Sequence, residues 1–221
     1  MGTDNLHHRR KAKNAKQLGR RGIQRDPYAK VLIVCEGGKT EPCYFNDIKD
    51  YYSLNSANVE ICGECGTDPL SILKYGKKRY GEEKKAGDAF DKVYCVFDRD
   101  AHPNYNQAMN DIRSSTPQET FIAITSVPCF EYWLLLHYTY TTRPYMAASN
   151  KSVCKQVETE LKEHMPSYTK GQEGIFSALF DRLNNANKHA QRALQEADRN
   201  NTDNPSTHVY KLVAFLQNIR K

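Results

Sequence analysis

With 221 residues, 39% of them hydrophobic, the chain is long enough for one domain with a substantial core and a helical extension. No apolar run approaches the ~18 residues of a membrane helix, and the basic N-terminus has no secretory pattern. These features exclude a helical membrane protein and lead to the expectation of a cytoplasmic protein without a membrane partner. The net charge of +6 is concentrated at one end, because residues 1–25 hold eight Lys/Arg against Asp4 alone.

The first element in the chain is therefore a basic arm, residues 1–27, with Arg9, Arg10, Lys11, Lys13, Arg20 and Arg21 among its cations. It has little to bury and is expected to be disordered when free. A polyanion such as RNA or DNA is its natural partner; a solvated tail is the alternative.

Residues 28–145 read as an α/β core. Val31 to Cys35 is a continuous apolar run, as in a strand buried on both faces. Glu36 follows it, then Gly37 and Gly38, and Pro42 suits the first turn of a helix running from Glu41 to Tyr52. Gly38-Lys39-Thr40 imitates the end of a P-loop, but that motif needs a glycine five positions before its second one, and Ile33 stands there. Asn58 to Cys62 reads as a strand and Pro69 to Tyr80 as a helix. Gly81 to Asp88 reads as a charged linker. Val93 to Phe97 is a further buried strand, ending in Asp98-Arg99-Asp100. Asn104 to Ser115 reads as a helix, Phe121 to Thr125 as a strand, and Ser126-Val-Pro-Cys leads into a helix over Phe130 to Tyr138. About four strands alternating with helices predict a parallel sheet. Residues 146–221 read as a helical extension packed on the core, with helices over 151–164, 174–199 and 205–219. Asn204-Pro205 is taken as the last helix start.

Ligands of open parallel sheets bind at the carboxyl ends of strands. Glu36, Asp98 and Asp100 each follow an apolar strand and would be brought to one edge by right-handed crossovers. The chemistry expected is a divalent-metal site for Mg²⁺ or Mn²⁺, with Glu36 as ligand or general acid/base; solubilising acids at loop starts are the alternative. Glu131 follows the fourth strand and either joins the acids or favours its helix N-terminus. His137 lies six residues further on, about 600° around the helix, and reads as a core or helix-end histidine. Lys39 and Arg99 flank the acids and are candidates to hold a phosphate, with surface ion pairs as the alternative. Tyr168, Lys170, Asn204 and Thr207 are candidates for a second polar wall, or for loop and capping roles. Cys62-Gly-Glu-Cys65 is a lone CxxC without a second pair, so reduced cysteines are expected.

Cys35-Glu36-Gly37, Lys39-Thr40-Glu41 and Phe97-Asp98-Arg99-Asp100 resemble a TOPRIM-type domain. More specifically, together with Ser126-Val-Pro-Cys-Phe-Glu-Tyr-Trp-Leu-Leu-Leu-His137 and Asn204-Pro205-Ser206-Thr207, the chain resembles the RloB-like proteins over roughly residues 30–216. The resemblance implies a Mg²⁺-dependent nuclease-like fold of bacterial anti-phage defence, commonly encoded beside an ATPase partner. It also implies acid/base work for Glu36 and metal binding by Asp98 and Asp100. Three functions compete: a nuclease acting on RNA or DNA, a non-catalytic nucleic-acid-binding or regulatory subunit, and a nucleotidyl transferase.

Overall fold

The computed structural model describes residues 28–99, 102–147 and 152–220. The basic arm and Asp100 lie outside the described residues. Among the described residues, five strands form one sheet: β1 (Val31–Cys35), β2 (Val59–Cys62), β3 (Lys92–Asp98), β4 (Phe121–Val127) and β5 (Ser206–Thr207), in the order β2-β1-β3-β4-β5. The first four are parallel; β5 runs antiparallel to β4, with Ser126 opposite Thr207.

β1 is an inner strand, between β2 and β3, and all five of its residues are completely buried. Successive strand side chains alternate between faces, so β1 feeds two cores. Val31, Ile33 and Cys35 pack with helix α1 (Thr40–Tyr51) and the later helices. Leu32 and Val34 pack with α2 (Pro69–Lys85), while β3 and β4 supply that face with Cys95 and Phe121. On the same side, α3 (Tyr105–Arg113) contributes Ile112. Gly76 lets α2 lie close on the sheet, where an added Cβ would stand 3.0 Å from Val93 Cγ1. The result is a doubly wound sheet with a helical layer on each face, an α/β fold as expected.

The C-terminal part joins the first of these cores rather than forming its own. It begins after α4 (Glu131–Leu135), with α5 (Val153–His164), α6 (Ile175–Leu179), α7 (Leu183–Arg199) and α8 (Val209–Asn218). Val157, Phe176, Ala186 and Leu212 all lie in the cluster that holds α1 and α4. The buried Trp133 indole N–H donates to Tyr44 Oη at 2.8 Å, tying α4 to α1. Tyr44→Phe strands that donor in the core, so urea unfolding is expected to show a loss of about 1–3 kcal/mol. An unchanged stability would show that the bond contributes nothing.

Several boundaries differ from expectation. The linker over 81–88 is largely helix, since α2 runs on to Lys85. Gly81 faces open space there, and Arg79 binds Glu82 at 2.8 Å and Glu83 at 3.3 Å one turn on. Such i,i+3 and i,i+4 pairs offset the helix penalty of one glycine. Ser126 and Val127 extend β4 instead of opening a helix. The helix after them is regular only over Glu131–Leu135. A 3₁₀ turn at Phe180–Arg182 breaks the long helix expected over 174–199. Pro205 leads into β5, not a helix: the Asn204 amide is spent on the Tyr145 backbone, accepting from its N–H at 3.1 Å and donating to its C=O at 2.7 Å. Thr207 Oγ1 then accepts from Val209 N at 3.2 Å as α8 begins.

Candidate functional site

The order β2-β1-β3 places the topological switch point between β1 and β3. From β1 the chain leaves towards β2 on one side, and it returns to β3 on the other. The crevice outside the carboxyl ends of two such strands is where doubly wound sheets bind ligands. Cys35 pairs with Val96, so Glu36 and Asp98 emerge side by side at that point. They are joined directly, because Glu36 Oε2 accepts from the Asp98 backbone N–H at 3.1 Å.

The turn after Glu36 is held by the loop beyond β2. Gly37 has φ +70°, a conformation that favours glycine. Its carbonyl accepts from Glu64 N at 3.0 Å, and its N–H donates to Gly66 O at 3.4 Å. Gly63 allows this approach: a Cβ there would lie 2.9 Å from Gly37 O. Cys62 and Cys65 are joined in a disulfide across this loop, whereas reduced thiols were expected. A lone CxxC has no second pair to complete a metal site, but its two cysteines flank a tight turn that brings them together. The other five cysteines are free. A third loop is tied in by Asn104, whose amide donates to Asp68 Oδ1 at 2.7 Å. The Ser71 hydroxyl, with Asn104 and two backbone N–H groups, holds the Asp68 carboxyl below its ordinary range.

Two further acids reach the crevice. Glu41, in the first turn of α1, is only 8% exposed, and Glu131, in the first turn of α4, is 1% exposed. Burial, followed by the charges of Glu131 and Glu36, pushes the Glu41 carboxyl up to about 7. Burial and the neighbouring Glu41, Glu131 and Glu36 likewise push Asp98 well above its ordinary value. The four carboxyl groups thus feel one another's charge, in a setting where they cannot all ionise cheaply.

Each outer acid has a partner. Glu36 Oε1 lies 2.8 Å from His102 Nε2. Glu131 Oε1 accepts from the Tyr168 hydroxyl at 3.0 Å and from Lys170 Nζ at 3.0 Å. Desolvation alone would lower the Lys170 pKa, but the Glu131 charge outweighs it and raises it. Lys39 is exposed on the rim just before α1, its stem against Gly171, where a Cβ would stand 3.2 Å from Lys39 Cβ.

The sequence-derived residues therefore divide. Glu36, Asp98, Glu131, Lys170 and Tyr168 come together. Arg99 turns away to an ion pair with Asp203, with its guanidinium 5.6 Å from the Tyr105 ring centre. Asn204 and Thr207 have the backbone roles described above. His137 is a core residue: its Nδ1 lies 3.0 Å from Trp133 O, and burial lowers its pKa to about 4, so it stays neutral. Two members of the pocket escaped sequence reasoning. His102 stands four positions beyond Asp98, in the loop after an acid-bearing strand, and that position was its only signal. Glu41 stood in the Lys39-Thr40-Glu41 motif and as the first residue of a helix, with no site role, although a carboxylate in the first turn of the helix after β1 lies close to the sheet edge.

The donors are mainly carboxylate oxygens, which Mg²⁺ and Mn²⁺ prefer, with the His102 imidazole beside Glu36 and the Cys129 and Cys154 thiols near Asp98. Among the described residues, however, no three His, Cys, Asp or Glu side chains are placed to hold a metal ion together. The outer acids are turned instead onto His102 and onto Tyr168 with Lys170. No helix among the described residues is long and apolar enough to cross a membrane. In comparisons with known proteins, the model of a family described as RloB-like protein matches residues 31–216. No curated protein matches, and neither does any solved structure.

Proposed function

The chain belongs to the RloB-like family, and from that premise and the acid pocket we propose that it is a TOPRIM-type, Mg²⁺- or Mn²⁺-dependent nuclease. It hydrolyses phosphodiester bonds of RNA or DNA in the cytoplasm, in bacterial defence against phage, with an ATPase as its partner. The observation that carries the proposal is the gathering of Glu36, Asp98, Glu41 and Glu131 at the switch point, where burial first, and then the charges of the neighbouring acids, raise the pKa of Glu41 and of Asp98. Structural acids are ordinarily paired with cations or exposed; buried acids crowded together in a crevice mark a functional site.

Glu36, Asp98 and Glu131, with Asp100, would hold the ion, which when bound supplies a charge that offsets the acids and polarises the phosphate. Glu36 is suited to moving a proton, because His102 lies against one of its oxygens and a backbone N–H orients the other. Lys170 keeps its charge beside Glu131 while half exposed, and can meet a phosphate oxygen from the rim. Lys39 offers a second cation on the same side. The basic arm adds salt-sensitive attraction for the phosphate backbone.

The test is incubation of the purified chain with single-stranded, duplex and transfer RNA or DNA substrates, with Mg²⁺ or Mn²⁺ or with EDTA. Cleavage that appears with the divalent ion and stops with EDTA is expected. Absence of cleavage under every metal condition, with the ATPase partner added, would reject the nuclease in favour of a binding subunit.

A further inference from the structure

Two hollows open beside the acid pocket, along the β4–β5 side of the sheet edge. One, of about 800 Å³, begins at Arg99, the residue after Asp98, and reaches Tyr145 and Asn201. The other, of about 660 Å³, passes Tyr105 and runs between α3 and the start of α8, with Asn110, Arg113 and Lys211 on its walls. They share Val127, Thr202 and Asp203 as lining, so they adjoin as two parts of a groove that starts at Arg99.

The lining has the features of a track for nucleic acid. Its cations are Arg99, Arg113 and Lys211, and its acids are Asp198 and Asp203, the second of them already neutralised by Arg99. Arg113 and Lys211 are exposed at the rim, where phosphates would run. Primary amides recur along the walls: Asn106 and Asn110 lie on one exposed face of α3, and Asn201 lies in the loop opposite. An amide offers both a donor and an acceptor, which suits base edges. The half-buried Tyr105 ring, flanked by the Arg99 guanidinium at 5.6 Å, is a stacking platform.

We infer that this groove binds a single-stranded segment of RNA or DNA and leads it to the acid pocket. The inference deepens the nuclease reading and rests on it for the groove's purpose, though not for its binding. Amides and a ring set within hollows can reach bases only when the strand is unpaired, whereas a duplex presents its phosphates to the rim alone.

The experiment is fluorescence anisotropy of the full chain in EDTA with labelled oligo(U), oligo(dT) and a duplex of the same length. The tighter of the two single strands identifies the source. At one fixed salt concentration, single strands are expected to bind about tenfold tighter than the duplex, and the exposed double variant Arg113→Glu/Lys211→Glu to lose about tenfold for single strands. Equal binding of duplex and single strands, or a double variant within about twofold of the unaltered chain, overturns the inference. If cleavage is absent but these binding differences hold, the nuclease reading fails while the groove stands; the converse result removes the groove alone.

Discussion

Glu36→Gln and Asp98→Asn are each expected to lower metal-dependent cleavage by about a thousandfold while leaving the protein folded. Both substitutions nearly preserve shape. Glutamine at position 36 can still accept from the Asp98 N–H, the 3.1 Å bond that joins β1 to β3. Asparagine at position 98 removes a carboxyl that burial and three neighbouring acids already disfavour as an anion. Losing a charge that offsets a bound cation and moves a proton typically costs about 10²–10⁴ in rate. The diagnostic combination is activity lost and thermal midpoint kept, or raised for Asp98→Asn. Residues selected for function are commonly held at a cost to stability. Full cleavage by both variants would remove these acids from the chemistry.

Glu41 predicts a stability that depends on pH. Its carboxyl titrates near 7 in the folded protein, above the ordinary 4.5. Between these values the native state holds a proton that the unfolded chain has lost. Stability contributed by the neutral group is therefore complete below pH ~4.5, falls as pH rises to about 7, and is constant above that. The span corresponds to roughly 3 kcal/mol. Asp98, shifted in the same direction, steepens the fall. Glu41→Gln keeps a neutral side chain at every pH. Its advantage in urea unfolding over the unaltered chain is expected to grow from near zero at pH ~4.5 to roughly 3 kcal/mol at pH 8. A difference that stays flat across that window would mean that Glu41 ionises freely.

The frame of the molecule was legible because its strands are unusually clear. Val31–Cys35 and Val93–Phe97 are apolar at every position, and each ends in an acid, so the alternation with helices pointed to the parallel sheet and to one edge for Glu36 and Asp98. What escaped lies where long-range contacts override local signals. β5 has only two residues and exists because Ser126 and Val127 offer it an edge, with Ser126 Oγ 3.1 Å from Thr207 Oγ1. Neither periodicity nor propensity speaks over so short a stretch. Arg99 was read beside the acids, but its partner, Asp203, comes from a loop more than a hundred residues away. Glu41 and His102 belong to the pocket through turns whose geometry depends on Gly37, Gly63 and the Cys62–Cys65 loop, contacts that no local pattern encodes. Glu131 reads from sequence either as favouring its helix N-terminus or as joining the acids; it sits in the first turn of α4, where no side chain makes a cap bond, and its carboxyl turns to Tyr168 and Lys170.

The shared purpose of these acids is tested most directly by anomalous diffraction from crystals soaked in Mn²⁺. The account predicts one strong peak in the crevice between the ends of β1 and β3, with the Glu36 carboxylate turned from His102 towards the ion and Asp98 beside it. A crevice without a peak at saturating Mn²⁺, with Glu36 still bonded to His102, would contradict it.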